Sequence, residues 1–242
     1  MIGRMIGTAL CFLWLSGGAG AAETRRIAHL NDFPPITEVQ DGKSVGLAID
    51  ILCAAAARIS IDLVFVPVTI EQLMPSLSDG RADALYSAIT PERRQLLDFS
   101  APVLMTGGAL YVRAPSATPE SLAALSGKIV VTPRAGPLAA LIQKTAPDVK
   151  LVVTADYEES LARLVRGEAD AAALNFQAGA RIAARLYQGQ VTVPRNMFIQ
   201  TPQAIGVLKG QGAKLIAQLD AGLAAIRADR TWQQINDRWL GH

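Results

Sequence analysis

Leu77-Ser78-Asp79-Gly80-Arg81-Ala82-Asp83-Ala84 is echoed further along the chain as Leu164-Val165-Arg166-Gly167-Glu168-Ala169-Asp170-Ala171. Each phrase closes a leucine-bearing helical segment on a glycine, the residue best suited to a left-handed helix end. Each then enters a short apolar run through Asp-Ala. Outward from the first phrase, Arg26–Leu30 reads as a strand. Leu47, Ile51, Ala55 and Ile59 form the apolar stripe of a helix, which Ser44 or Asp50 could cap. Ile61–Val66 is rich in β-branched and aromatic residues and reads as a strand. Glu71–Ser78 reads as a short helix and Ala82–Ile89 as a buried strand. Around the second phrase the same order recurs: strand Lys128–Thr132, helix Leu138–Lys144, strand Lys150–Thr154, helix Glu158–Arg166, strand Ala169–Leu174. Alternating strands and helices predict an α/β fold with mostly parallel sheets, and the repeat predicts two similar lobes. Between and beyond them, Pro119–Leu125 is expected to be helical with Thr118 as its N-cap, and Leu215–Leu240 to form a helical tail.

Composition narrows the possibilities. Half of the 242 residues are hydrophobic and only 18% are charged, which is too apolar for a disordered chain. The formal net charge is +2, and no basic block interrupts the chain, so nothing calls for a nucleic-acid partner. Aromatics at 5% provide no stacking platform for single strands. Two cysteines and two histidines are too few for the usual multi-ligand zinc site.

Residues 1–22 read as a secretory signal peptide. Arg4 supplies the positive start, Met5–Leu15 the apolar run, and Ala19-Gly20-Ala21-Ala22 the small residues a signal peptidase accepts. The apolar run is shorter than the ~20 residues a bilayer core requires. The mature chain is therefore expected to be exported and soluble, in the periplasm. Cys53 would be its single cysteine, expected to be buried among Ile51, Leu52, Ala54 and Ala55.

No glycine-rich phosphate loop follows a strand, and no G-x-S-x-G elbow is present. His29 lies in a strand-like apolar run without triad or ligand partners, which fits a structural role. More informative is the stretch from Ser87-Ala88-Ile89-Thr90-Pro91-Glu92-Arg93-Arg94 to Asp98-Phe99-Ser100-Ala101-Pro102. A strand ends at Ile89 and a helical segment starts at Pro91. The free N–H groups of a helix start attract anions, and an arginine one turn in can clamp a carboxylate. By spacing alone, the same residues also suit a solvated surface turn.

That stretch resembles the T-x-E-R…D-F-S-x-P signature of the family 3 extracellular solute-binding proteins, periplasmic receptors for polar amino acids. Phe33-Pro34-Pro35, Gly46–Asp50, Leu77–Asp83, Ser121–Val131, Glu168–Ala171 and Arg227–Gly241 are similar, in order, to further motifs of that family. The resemblance implies a two-lobed type II periplasmic-binding-protein (Venus-flytrap) fold. It would have one lobe from 23–111 and 200–242, the other from 112–199, and crossovers near Tyr111-Val112 and Ile199-Gln200. It further implies that Arg93 holds a ligand carboxylate, that Ser87, Ala88 and Thr90 add hydrogen bonds and that Phe33 walls the pocket. The loop carrying Arg134 and Gly136 would contribute from the second lobe. Partners would be a small polar solute and an inner-membrane transporter permease, or a membrane sensor, with the protein a monomer and no cofactor. Three departures stand out. Asn175 occupies the place where the family has an Asp for the ligand ammonium. Asp83 and Arg93 are closer together than in typical members. Pro137, which has no N–H to donate, stands where the family often has Thr. They suggest a carboxylate-bearing solute, an amino acid or related compound, that is not a standard zwitterion, or a receptor whose binding has diverged. Some relatives of this fold, such as cyclohexadienyl dehydratases, are enzymes. Asp32 and Glu92 are the conceivable acids for such a role here.

Overall fold

A computed structural model describes residues 23–133 and 137–240. The signal peptide expected at 1–22, and Arg134 and Gly136, lie outside the described residues. The two echoed aspartates sit at equivalent places. Asp83 Oδ2 accepts from the Arg26 backbone N–H at 2.8 Å, while the Asp83 N–H donates to the Arg26 carbonyl. Asp170 Oδ2 accepts from Ile129 N–H at 2.8 Å, and its own N–H donates to the Ile129 carbonyl. A cation flanks each carboxylate, Arg26 at 2.8 Å and Lys128 at 3.7 Å. In each lobe the repeated Asp thus fixes the start of one strand beside its parallel neighbour.

The first lobe begins with β1 (Glu23–Leu30), a small sheet of β2 (Asp32–Phe33), β3 (Thr37–Gln40) and β4 (Lys43–Val45), then α1 (Leu47–Arg58) and β5 (Ile61–Val68). Two short helices follow, α2 (Ile70–Leu73) and α3 (Pro75–Ser78), then β6 (Ala84–Ala88), α4 (Pro91–Leu96) and β7 (Leu97–Phe99). Strand β8 (Leu104–Arg113) carries the chain into the second lobe. That lobe contains β9 (Ile129–Pro133), α5 (Pro137–Thr145), β10 (Lys150–Thr154), α6 (Tyr157–Val165), β11 (Ala171–Asn175), α7 (Phe176–Leu186) and β12 (Val191–Thr192). Strand β13 (Ile199–Leu208) returns the chain, and α8 (Ala213–Ala228) and α9 (Thr231–Leu240) close it.

One continuous sheet runs β10-β9-β11-β8-β13-β6-β1-β5. The three strands at each outer end pair in parallel. The two long crossover strands are antiparallel to each other and to their other neighbours in this path. Helical crossovers between parallel strands bury both sheet faces, and the packing shows it. Ile27 and Tyr86 face a core shared with α1, α8 and α9, while Ala28 and Leu85 face one shared with α2 and α3. In the second lobe, Ala172 and Leu174 point to one cluster and Ala171 and Ala173 to the other. Strand β8 changes partner at Gly108, which is in register with both Ile199 and Asn175. Tyr111, expected at the end of the first lobe, consequently packs in the core of the second.

Several elements depart from expectation. The segment Pro119–Leu125 forms only a 3₁₀ turn over Leu122–Leu125, led by Ser121 and followed by Gly127 at positive φ. The tail is two helices, because Arg230 adopts φ 65° and the Asp229 carboxylate accepts from Thr231 N–H. Asp50 does not cap α1. It sits in the first turn and accepts from Arg238 and Trp239, tying α1 to α9. Cys53 is exposed rather than buried: it lies off the face of α1 on which Leu47, Ile51 and Ala55 are buried. Among the described residues no helix is long and apolar enough to cross a membrane.

Candidate functional site

Strands β1, β6, β9 and β11 end at a cleft between the lobes, the place where open α/β sheets offer ligand sites. A cavity of about 190 Å³ on the first-lobe side is lined by Leu30, Phe33, Thr37, Tyr86, Ser87 and Arg93, among others. A larger one of about 590 Å³ reaches the crossovers and the second lobe, with Thr106, Gly108, Pro133 and Asn175 in its wall. Phe33 and Gln203 line both, so the two are compartments of one cleft.

Arg93 owes its place to α4. Thr90 is extended and caps the helix, its Oγ1 accepting from Arg93 N–H at 3.3 Å, with Pro91 in the first turn. The guanidinium turns back along the strand it follows and donates from NH1 to the Ala88 carbonyl at 3.2 Å. It is half-buried and, among the described residues, has no carboxylate partner. Its remaining N–H groups are available to a planar acceptor, which a guanidinium suits in a way an ammonium does not. Ser87 and Ala88 line the same compartment. The Ser87 hydroxyl is directed at the Ala88 carbonyl at 3.4 Å. Thr90 acts as the cap and is not in either wall.

On the far side Asn175 N-caps α7, its Oδ1 accepting from Ala178 N–H at 3.1 Å. Its Nδ2 donates to Thr106 Oγ1 at 2.8 Å, and Thr106 in turn donates to Gln177 Oε1 at 3.1 Å. Gln177 Nε2 then donates to the Met105 carbonyl. This chain ties the end of β11 to the crossover strand. It leaves Asn175 in the cleft wall as a neutral, anchored amide.

Two residues of the first compartment escape sequence reasoning. Tyr86 and Thr37 are 3% and 0% exposed, yet neither hydroxyl has a hydrogen-bond partner among the described residues. Burial pushes the Tyr86 phenol well above its usual range, so it stays protonated. Tyr86 carried a partial signal, as a polar-tipped aromatic near the end of a buried strand. Thr37 carried none.

Other candidates fall elsewhere. His29 is fully buried, with Nδ1 donating to the Leu30 carbonyl at 2.8 Å and Nε2 accepting from Ser44 Oγ at 2.7 Å. Burial lowers its pKa, and the imidazole is a neutral structural group. Glu92 is exposed, with a carboxyl held below its usual range chiefly by the Thr90 hydroxyl. Asp32 is exposed too. Neither acid lines the cleft. Among the described residues no cluster of His, Cys, Asp and Glu could hold a metal ion.

Comparison with known proteins agrees with this architecture. A family-level sequence model, described as bacterial extracellular solute-binding proteins, family 3, matches residues 26–242. An ABC transporter arginine-binding protein of Escherichia coli is 29% identical over 231 residues, covering 92% of this chain and 93% of that protein. The virulence sensor protein BvgS of Bordetella pertussis is 26% identical over 222 residues, which span 89% of this chain but 18% of the sensor. In three dimensions, the second substrate-binding domain of a putative amino acid ABC transporter from Streptococcus pneumoniae superposes with a TM-score of 0.76 at 20% identity. That match covers 89% of this chain and 99% of the domain.

Proposed function

The chain belongs to the bacterial extracellular solute-binding proteins, family 3, and on that premise we propose that it is a periplasmic receptor whose lobes close on a small carboxylate-bearing solute held by Arg93. The observation that carries this reading is the half-buried guanidinium of Arg93, unpaired by any carboxylate of the described residues and set in the wall of the interlobe cleft. A carboxylate would receive charge-assisted hydrogen bonds there, about twice as strong as neutral ones. Phe33 would pack on the solute from the first lobe and Asn175 would face it from the second. Arg134 and Gly136 would approach from the loop after β9. The lobes divide at Gly108, where β8 exchanges one partner strand for the other.

Closure would shift an existing equilibrium between open and closed forms by the solute's differential affinity for them. The closed monomer would then engage a transporter permease in the inner membrane, as the similarity to the arginine-binding protein supports. The similarity to the virulence sensor protein over 89% of this chain supports a second output, reporting to a membrane signalling protein. Catalysis is not part of the proposal, because elimination chemistry needs an acid beside the ligand and neither Asp32 nor Glu92 lines the cleft.

The test is a thermal-shift screen of amino acids, hydroxy acids and other small carboxylates, since a binder stabilises the folded state by mass action. Arg93→Ala is expected to fold normally and to weaken the best binder by about 10- to 100-fold, the loss of a charged hydrogen-bond donor. Equal stabilisation of the variant, or no stabilisation by any carboxylate, would refute the assignment.

A further inference from the structure

We propose, as a refinement resting on the carboxylate reading of Arg93, that the cleft selects a carboxylate bearing a hydroxyl or oxo group and no ammonium. Two independent observations converge on this class.

The first is charge. Arg93 is the only ionisable acid or base among the described side chains of the two compartments apart from the tyrosine phenols, and the carboxylate of the adjoining pocket past Tyr157, Glu38, is already paired with Arg181. An α-amino acid would bring an ammonium into this space with nothing to balance it, and a desolvated unpaired charge is strongly disfavoured. Asn175 does not compensate. It is neutral, and its amide already donates to Thr106 and accepts from Ala178. Among the described residues of the two compartments, a monoanion meets one fixed charge, the complementary guanidinium.

The second is the pair of buried hydroxyls. Tyr86 and Thr37 line the compartment that holds Arg93, and among the described residues neither Oη nor Oγ1 has a partner. Unsatisfied buried hydroxyls are rare in native proteins, and each calls for a partner. Either group can donate or accept, so an oxygen carried next to the carboxylate satisfies them. A methylene in that place leaves them unpaired. This chemistry differs from that of the arginine-binding relative, whose name specifies a cationic solute.

The experiment is titration calorimetry of the purified exported protein with matched ligand sets. Each set holds an α-amino acid, its α-hydroxy and α-oxo counterparts and the unsubstituted acid, for side chains from methyl to indolyl. In at least one set, the hydroxy or oxo member is expected to bind tenfold or more tighter than both the amino and the unsubstituted members. Tyr86→Phe should lose about tenfold for the preferred member and leave the unsubstituted acid unchanged. Thr37→Val reads the same subsite if the tyrosine variant does not fold. Amino acids binding as tightly as their hydroxy counterparts overturn the inference, as does an equal loss for both acids in the variants or an absence of binding in every set. Arg93→Ala separates the two levels. Amino-acid binding that this variant abolishes leaves the carboxylate reading standing and sinks the refinement, whereas binding that the variant leaves intact sinks the carboxylate reading itself.

Discussion

Asn175 differs from aspartate by one atom, and in the proposed reading that atom sets the chemistry of the cleft. Its side chain has the length and shape of aspartate, it caps α7 as aspartate would, and it faces the larger compartment. What it lacks is a charge. Two unit charges about 4 Å apart at an effective dielectric near 20 attract by about 4 kcal/mol, and desolvation removes part of that. Asn175→Asp keeps the capping acceptor beside the Ala178 N–H, and the Thr106 hydroxyl can turn to donate to the new oxygen. The variant is therefore expected to fold with little change in Tm and to bind α-amino acids at least tenfold tighter than the unaltered protein, measured by calorimetry. No gain for any amino acid would show that position 175 does not meet the solute. Arg93 and Asn175 were legible in the sequence because they stand at fixed offsets from recognisable phrases. The Tyr86 and Thr37 hydroxyls were not. Their lack of partners depends on what the elements packed around them leave there, and no local pattern encodes that.

Elements whose burial is periodic were legible, and those defined by their neighbours were not. The stripe Leu47, Ile51, Ala55 announced α1, and the echoed Asp-Ala phrases announced the strand starts that Asp83 and Asp170 hold in place. The first half of strand β13 was not legible because Gln200, Thr201, Pro202 and Gln203 show no apolar run. They are strand-like because β8 pairs with all four, and β6 joins on the other side from Gln203 onward. The Pro202 carbonyl, for example, accepts from Ile89 N–H at 2.8 Å. Close approach is another property the sequence hides. A Cβ at Gly222 in α8 would lie 2.4 Å from the carbonyl oxygen of Ala55 in α1, so these helices pack backbone to backbone at that point. Gly222→Val must push them apart within the core that also holds Leu219, Leu223 and Ile51. Overpacking of this kind costs about 1–3 kcal/mol. The expected result is a lower urea midpoint at an unchanged m-value. A midpoint within error of the unaltered protein would mean that the crossing is looser than this geometry.

Across the whole molecule, one cation outside the two cleft compartments links the lobes. Arg181 of α7 in the second lobe donates to Glu38 of β3 in the first at 2.9 Å. The same guanidinium lies 5.3 Å from the ring centroid of Trp239 in α9, which packs on the first-lobe core. Exposed ion pairs contribute about 0.2–1 kcal/mol. Glu38 is only 17% exposed, which places this pair toward the upper end. The cation–π contact adds about 0.5–1 kcal/mol. Together they favour the conformation containing them by about 1–2 kcal/mol, a factor of roughly 5 to 30 over conformations in which α7 stands away from β3 and α9. A solute that needs the lobes together binds more weakly in proportion to the population lost. Arg181→Ala is therefore expected to enlarge the radius of gyration of the ligand-free protein in solution scattering. It should also lower solute affinity by about 5- to 30-fold, although the residue lines neither compartment of the cleft. Arg181→Lys should recover part of the affinity, because an ammonium keeps the ion pair but loses the planar stacking on Trp239. An unchanged radius together with an unchanged affinity in Arg181→Ala would show that the link does not bear on how the lobes are held.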